Sequence, residues 1–192
     1  PPLPAGALAG RLYAVMRRIL PPNHQRPVPT AELLELPLMC VHTPCDNLVT
    51  SNLQKHFDKK GEKLTLKEVK EELLKYPEYK RAARDNAGPT IVVGSDKRRA
   101  GRIMVDMTGG TGGPIESLEK LAVAGVGTLV GMHISEKNRE EAEKHKVNVV
   151  IAGHDSSDSI GLNLFLDELE KKGIEILPCS GLYRFSRVKK KK

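Results

Sequence analysis

The sequence predicts an α/β fold: a mixed, largely parallel sheet with helices packed on it. Three observations carry this. Between residues 128 and 177, short β-rich apolar runs alternate with amphipathic helical stretches, in the order strand, helix, strand, helix, strand. Aromatic residues make up only 4% of the chain and Trp is absent, so the core must be built mostly from Val, Leu, Ile and Ala. Twice, an apolar run ends in a histidine with an aspartate four residues later and a helical pattern behind it, which reads as strand, loop, helix.

Residues 1–29 carry seven prolines and make a poor start to a globular domain; the chain opens at Pro1 and reads as an internal fragment or a processed start. Within them only 12–20 has helical character, ended by Pro21-Pro22. Thr30 is expected to cap a short helix through Leu36, and Pro37 to open a first strand. A helix from Asp46 should run to about Lys59 and stop at Gly61. Thr65-Leu66-Lys67-Glu68 is a capping-box sequence, and Pro77 begins another short helix that Gly88-Pro89 breaks. Residues 91–93 and 102–105 read as two strands joined by a turn at Gly94-Ser95-Asp96. A helix over 114–124, a strand over 128–132, a helix capped by Ser135, a strand over 147–152, a helix over 158–172 and a strand over 174–177 complete the pattern. The expected organisation is a Pro-rich start (1–29), an α/β metal-binding domain (30–187) and a basic tail (188–192).

The net charge of +7 invites a nucleic-acid reading, but its distribution argues against one. Arg184, Arg187 and Lys189 to Lys192 supply six of the positive charges, so the basic character is expected to be a solvated tail rather than a face. No apolar run approaches the ~18 residues of a membrane span. Cys40, Cys45 and Cys179 are an odd count without a Cys-x-x-Cys, which points to a reducing, cytoplasmic setting. Cys40 and Cys179 are expected in the core, and Cys45 as either a soft ligand or an inert neighbour.

The two matching units, His42-Thr43-Pro44-Cys45-Asp46 and His154-Asp155-Ser156-Ser157-Asp158, should place each imidazole at the carboxyl end of a strand and each carboxylate in the first turn of a helix. Ligands bind at that edge of open α/β sheets. His42, Asp46, His154 and Asp158 are therefore the expected metal ligands, with Asp155 a candidate to orient His154. Imidazole with carboxylate suits Zn, Mn, Fe or Co, one or two ions per chain. The run Thr108-Gly109-Gly110-Thr111-Gly112-Gly113 could receive an anion or serve as a tight connecting loop. His133 is a third histidine at a strand end and can line the same cleft, whereas His24, His56 and His145 read as ordinary surface residues.

At these motifs the chain resembles the Ngg-interacting-factor-three-like proteins, also called GTP cyclohydrolase 1 type 2-like. Cys40-Val41-His42-Thr43-Pro44-Cys45-Asp46, Gly131-Met132-His133-Ile134-Ser135, Gly153-His154-Asp155-Ser156-Ser157-Asp158 and Pro178-Cys179-Ser180-Gly181 carry the likeness, which runs from about residue 20 to 187. The resemblance implies a dinuclear metal centre in an α/β fold, with subunits commonly assembled as a hexameric ring. His42, Asp46 and His154 match the family's motifs, and Asp158 stands where much of the family has Glu. The family's adjacent His-His-Pro ligands have no counterpart here. The expected function is a divalent-metal protein with hydrolase chemistry on a nucleotide-like or cyclic amide substrate. The alternative is a non-enzymatic metal-binding scaffold or regulatory protein acting through partners. Homo-oligomerisation is expected, and nucleic-acid and membrane partners are not.

Overall fold

Two compact units make up the chain, Pro1–Cys40 and Val41–Lys192, and the computed structural model describes residues 27–109, 113–179 and 181–189. The first unit holds one described helix, α1 (Pro27–Leu33). Pro27 and Pro29 stand in its first turn, where a missing N–H has no intrahelical partner to lose.

The second unit runs α2 (His42–Lys60), α3 (Leu66–Leu73), α4 (Pro77–Arg84), β1 (Thr90–Val93), β2 (Arg102–Asp106), α5 (Ser117–Val123), β3 (Val126–Gly131), α6 (Glu136–Lys144), β4 (Asn148–Ile151) and α7 (His154–Lys171). The strand order is β1-β4-β3-β2, with β2, β3 and β4 mutually parallel and β1 antiparallel to β4. The α/β expectation is met. Alternation along β4 decides which helices each face receives. Val150 and Ala152 belong to one apolar cluster with Val49, Leu53 and Phe57 of α2, Leu66 and Val69 of α3 and Ile160 of α7. Val149 belongs to a second cluster with Leu118 of α5 and Ala142 of α6. Both sheet faces are therefore covered, and each fully buried Val or Leu contributes roughly 1.5–3 kcal/mol.

Local chemistry sets the helix ends. The Thr65 hydroxyl accepts from the Glu68 N–H at 3.3 Å, and the Thr65 N–H donates to Glu68 Oε2 at 2.7 Å, the expected capping box at the start of α3. Ser135 caps α6 in the same way through the Asn138 N–H. Gln54 of α2 ties that helix to the edge of the sheet. Its amide nitrogen donates to the Ile103 carbonyl and its oxygen accepts from the Val105 N–H, so one side chain replaces a neighbouring strand on β2.

Several expectations are corrected. The segment Leu36 to Val41 is not a strand: Leu36, Leu38 and Met39 are exposed, and an apolar run without a ladder partner does not become one. Residues 174–177 are likewise non-strand, with Ile174 and Leu177 exposed, and Cys40 and Cys179 are exposed rather than in the core. β1 and β2 do not form a hairpin but lie on opposite edges. Residues 96–100 are drawn instead to the start of α3, where Lys67 N–H donates to the Asp96 carbonyl, Leu66 N–H to that of Arg98, and Ala100 N–H to that of Leu64. His56 and His145 have partners, Glu72 and Glu141, each at 2.9 Å. His24 and the helical stretch at 12–20 lie outside the described residues. Arg184 and Arg187 are not part of a solvated tail: Arg184 pairs with Asp167 and Glu170 at 2.6 Å each, and Arg187 with Glu78 at 2.8 Å. No helix among the described residues is long and apolar enough to cross a membrane.

Candidate metal centre

Asp106, Gly131 and Ile151 stand in one register row across β2, β3 and β4. The chain leaves these parallel strands at one edge, and within three residues of that row reaches Gly109, His133 and His154. His154 is the first residue of α7, not a strand terminus. Gly153 before it adopts φ 109°, a left-handed conformation that a side chain resists, and a Cβ there would sit 2.9 Å from the Ala87 carbonyl oxygen. His42 likewise opens α2, and Pro44 is tolerated because the first helical N–H groups have no intrahelical acceptor. Imidazole and carboxylate are therefore one helical turn apart on a single helix face in each motif. His42 Nδ1 lies 3.3 Å from Asp46 Oδ2, and His154 Nε2 lies 3.6 Å from Asp158 Oδ2.

The two motifs converge because α2 and α7 cross closely. A Cβ on Gly161 would lie 2.3 Å from the Cys45 carbonyl oxygen, so only glycine permits this approach. Gly109 reports the result at the site. A Cβ on it would stand 3.0 Å from His42 Nε2 and 3.4 Å from His154 Nε2, which puts both imidazole nitrogens against one small volume. The Gly109 N–H donates to Asp46 Oδ2 at 3.2 Å, and the Thr108 N–H and hydroxyl donate to Asp106 Oδ1. These amides serve carboxylates rather than an external anion. Gly110 lies outside the described residues. The His133 and His154 rings sit 5.2 Å apart, centroid to centroid.

The other three motif residues all act on the Asp158 carboxyl. Burial raises the Asp158 carboxyl; His154 and His42 oppose this, while Asp46 and Asp155 add to it. Burial, with Asp46 and Asp158, pushes the Cys45 thiol up to about 11, so it is a neutral thiol at pH 7 and its carbonyl serves the helix crossing. Behind α7, buried Tyr79 shares a hydrogen bond with the Ser157 hydroxyl at 2.9 Å, and that hydroxyl donates to the Gly153 carbonyl at 2.6 Å. This pins the first turn of α7, and with it His154.

The fit to a divalent ion can be judged from this donor set. Among the described residues no three His, Cys, Asp or Glu side chains already form a metal-binding cluster. The two pairs nevertheless offer imidazole nitrogen and carboxylate oxygen around one volume left free by Gly109, with two carboxylates raising the local negative charge. Both histidines are substantially exposed, so their rings can turn without moving the backbone. Four donors of this kind suit one ion.

A solved NIF3 superfamily protein from Sphaerobacter thermophilus is similar to this chain, with a TM-score of 0.68 and 26% identity over 92% of this chain and 65% of that one. This likeness supports membership of the NIF3 superfamily. The chain spans 65% of that relative's length, a little less than two thirds. A Bacillus cereus protein related to NIF3 matches at 17% identity and a TM-score of 0.39, covering 58% of this chain and 28% of that one. Reduced HcgD from Methanocaldococcus jannaschii matches at 19% and 0.36, covering 51% and 39%. Scores that low do not bear on the assignment. No family model matches the chain, and no curated protein does.

The four motif residues stand out in the sequence, but what brings their two segments together does not. Gly161 was legible only as a glycine inside a helical pattern, which signals close packing without naming the partner. Tyr79 and Gln54 carried no local signal, because each acts on a residue more than forty positions away.

Proposed function

We propose that this NIF3 superfamily chain is a divalent-metal protein in which His42, Asp46, His154 and Asp158 hold one ion. The observation that carries the reading is Gly109: its missing side chain leaves a volume faced at once by His42 Nε2 and His154 Nε2. Zn or Mn suits the mixed nitrogen and oxygen donors. When bound, such an ion polarises a substrate oxygen or activates a water, which supports a hydrolase. Asp46 Oδ2, beside His42 Nδ1 and held by the Gly109 N–H, orients the His42 ring so that Nε2 faces inward. Two helix N-termini open on the same pole and favour an anionic substrate group, which supports a nucleotide-like or phosphorylated substrate over a neutral cyclic amide.

The test is elemental mass spectrometry after dialysis against Zn and Mn, on the parent and on His154→Ala. The expected result is about one equivalent in the parent and a sharp loss in the variant. Hydrolysis of nucleoside phosphates by the loaded parent, absent in the variant, would support the enzyme. Stable metal without turnover on phosphates or cyclic amides would leave the scaffold reading, and no metal in the parent would end both.

A further inference from the structure

We infer that His133 is a third imidazole donor, sharing one divalent ion with His154; the inference rests on the metal-binding reading above and adds a ligand to it. The His133 and His154 rings are 5.2 Å apart between centroids and tilted by 43°. Two imidazoles bound to one tetrahedral zinc at Zn–N distances of ~2.0–2.1 Å hold their centroids about 5 Å apart. The observed spacing fits a shared ion and needs no movement of either backbone.

Topology explains why these rings meet. β3 and β4 are parallel neighbours with Gly131 opposite Ile151, and His133 and His154 follow that pair by two and three residues. The backbone that presents His133 is anchored on both sides. Met132 is 2% exposed in the main core, and Ile134 packs on the second cluster before Ser135 caps α6. The His133 side chain is itself exposed, so ring rotation alone can bring a nitrogen to the ion. It also borders a cavity of about 60 Å³ whose walls include Asp106, Thr108, Ser117 and Asn138. His133 after β3, His154 at the start of α7 and His42 at the start of α2 then approach the ion from three separate elements.

The test uses the full chain, with zinc affinity measured by competition against a chromophoric chelator and with the visible absorption of the cobalt(II) form. The expected result is at least a tenfold loss of zinc affinity in His133→Ala, with weaker and shifted cobalt bands, and partial recovery in His133→Asp, which keeps a donor. Circular dichroism of the metal-free variants should match the parent, since the side chain is exposed. If His133→Ala keeps the parent's affinity and cobalt spectrum while His154→Ala loses both, the inference is overturned and the metal reading stands. Equal loss in His133→Ala and His133→Asp with unchanged cobalt bands would also overturn it, as a packing effect. A parent chain that binds neither ion overturns the inference together with the reading beneath it.

Discussion

The two His-x-x-x-Asp motifs are alike in sequence and differ in what holds them. The one that opens α7 follows a buried strand, turns on Gly153 and is braced from behind by Tyr79 and Ser157. The one that opens α2 follows an exposed, non-strand segment, and its support comes from farther along the helix. Gln54 grips the edge of β2, Cys45 abuts Gly161, and His56 and Lys60 reach Glu72 of α3. Motif spacing thus fixes the chemistry of each pair, while tertiary contacts fix where the pair points. A strand before the histidine is one way to supply such contacts, and a helix crossing is another.

Substitutions can break either support. The largest effect is expected for Gly161→Ala. The new methyl gains about 1 kcal/mol of helix propensity, but it must displace the Cys45 carbonyl from 2.3 Å, so a net loss of roughly 1–3 kcal/mol in denaturant unfolding is expected. Because this contact serves both helices, metal uptake should fall with it. Gly153→Ala should affect α7 alone, at about 1–2 kcal/mol, through backbone strain at φ 109° and the Ala87 carbonyl.

On the α2 side the sensitive variable is acid. Burial raises the Glu72 carboxyl, but bonds from Lys75, Lys60 and His56 outweigh it and bring it down to about 2, from an ordinary 4.5. A depressed folded-state value means that the stabilisation is fully present above pH 4.5 and is lost as the pH falls toward 2. Glu72→Gln should flatten the pH dependence of thermal unfolding in that window, and an unchanged profile would remove this brace from the account. The smallest effect is expected for Tyr79→Phe, about 1 kcal/mol for one buried hydrogen bond, with Ser157 still donating to Gly153.

Most helices and the parallel pair β3 and β4 were legible because their signals are local: the capping box at Thr65, Ser135 before α6, and the apolar runs that became the two strands. Pairing was not legible. The turn signal at Gly94-Ser95-Asp96 correctly marks a break, but β1 is claimed by the Val149-Val150 run of β4 and the connection by α3, both distant in sequence. The runs 36–41 and 174–177 have strand-like composition, yet neither pairs, since composition does not supply a partner. At the site the residue types and their spacing were readable. The glycines that let the motifs converge were not, because a close approach is a property of two segments at once.

The central claim is that both motifs face one ion. Calorimetric zinc titration of the parent, His42→Ala, His154→Ala and the double variant tests it most directly. A shared site predicts about one equivalent in the parent, weaker binding of that same equivalent in each single variant, and none in the double variant. If His42→Ala keeps the parent's stoichiometry and affinity, the two helix starts do not share an ion, and the convergence at Gly109 is packing alone.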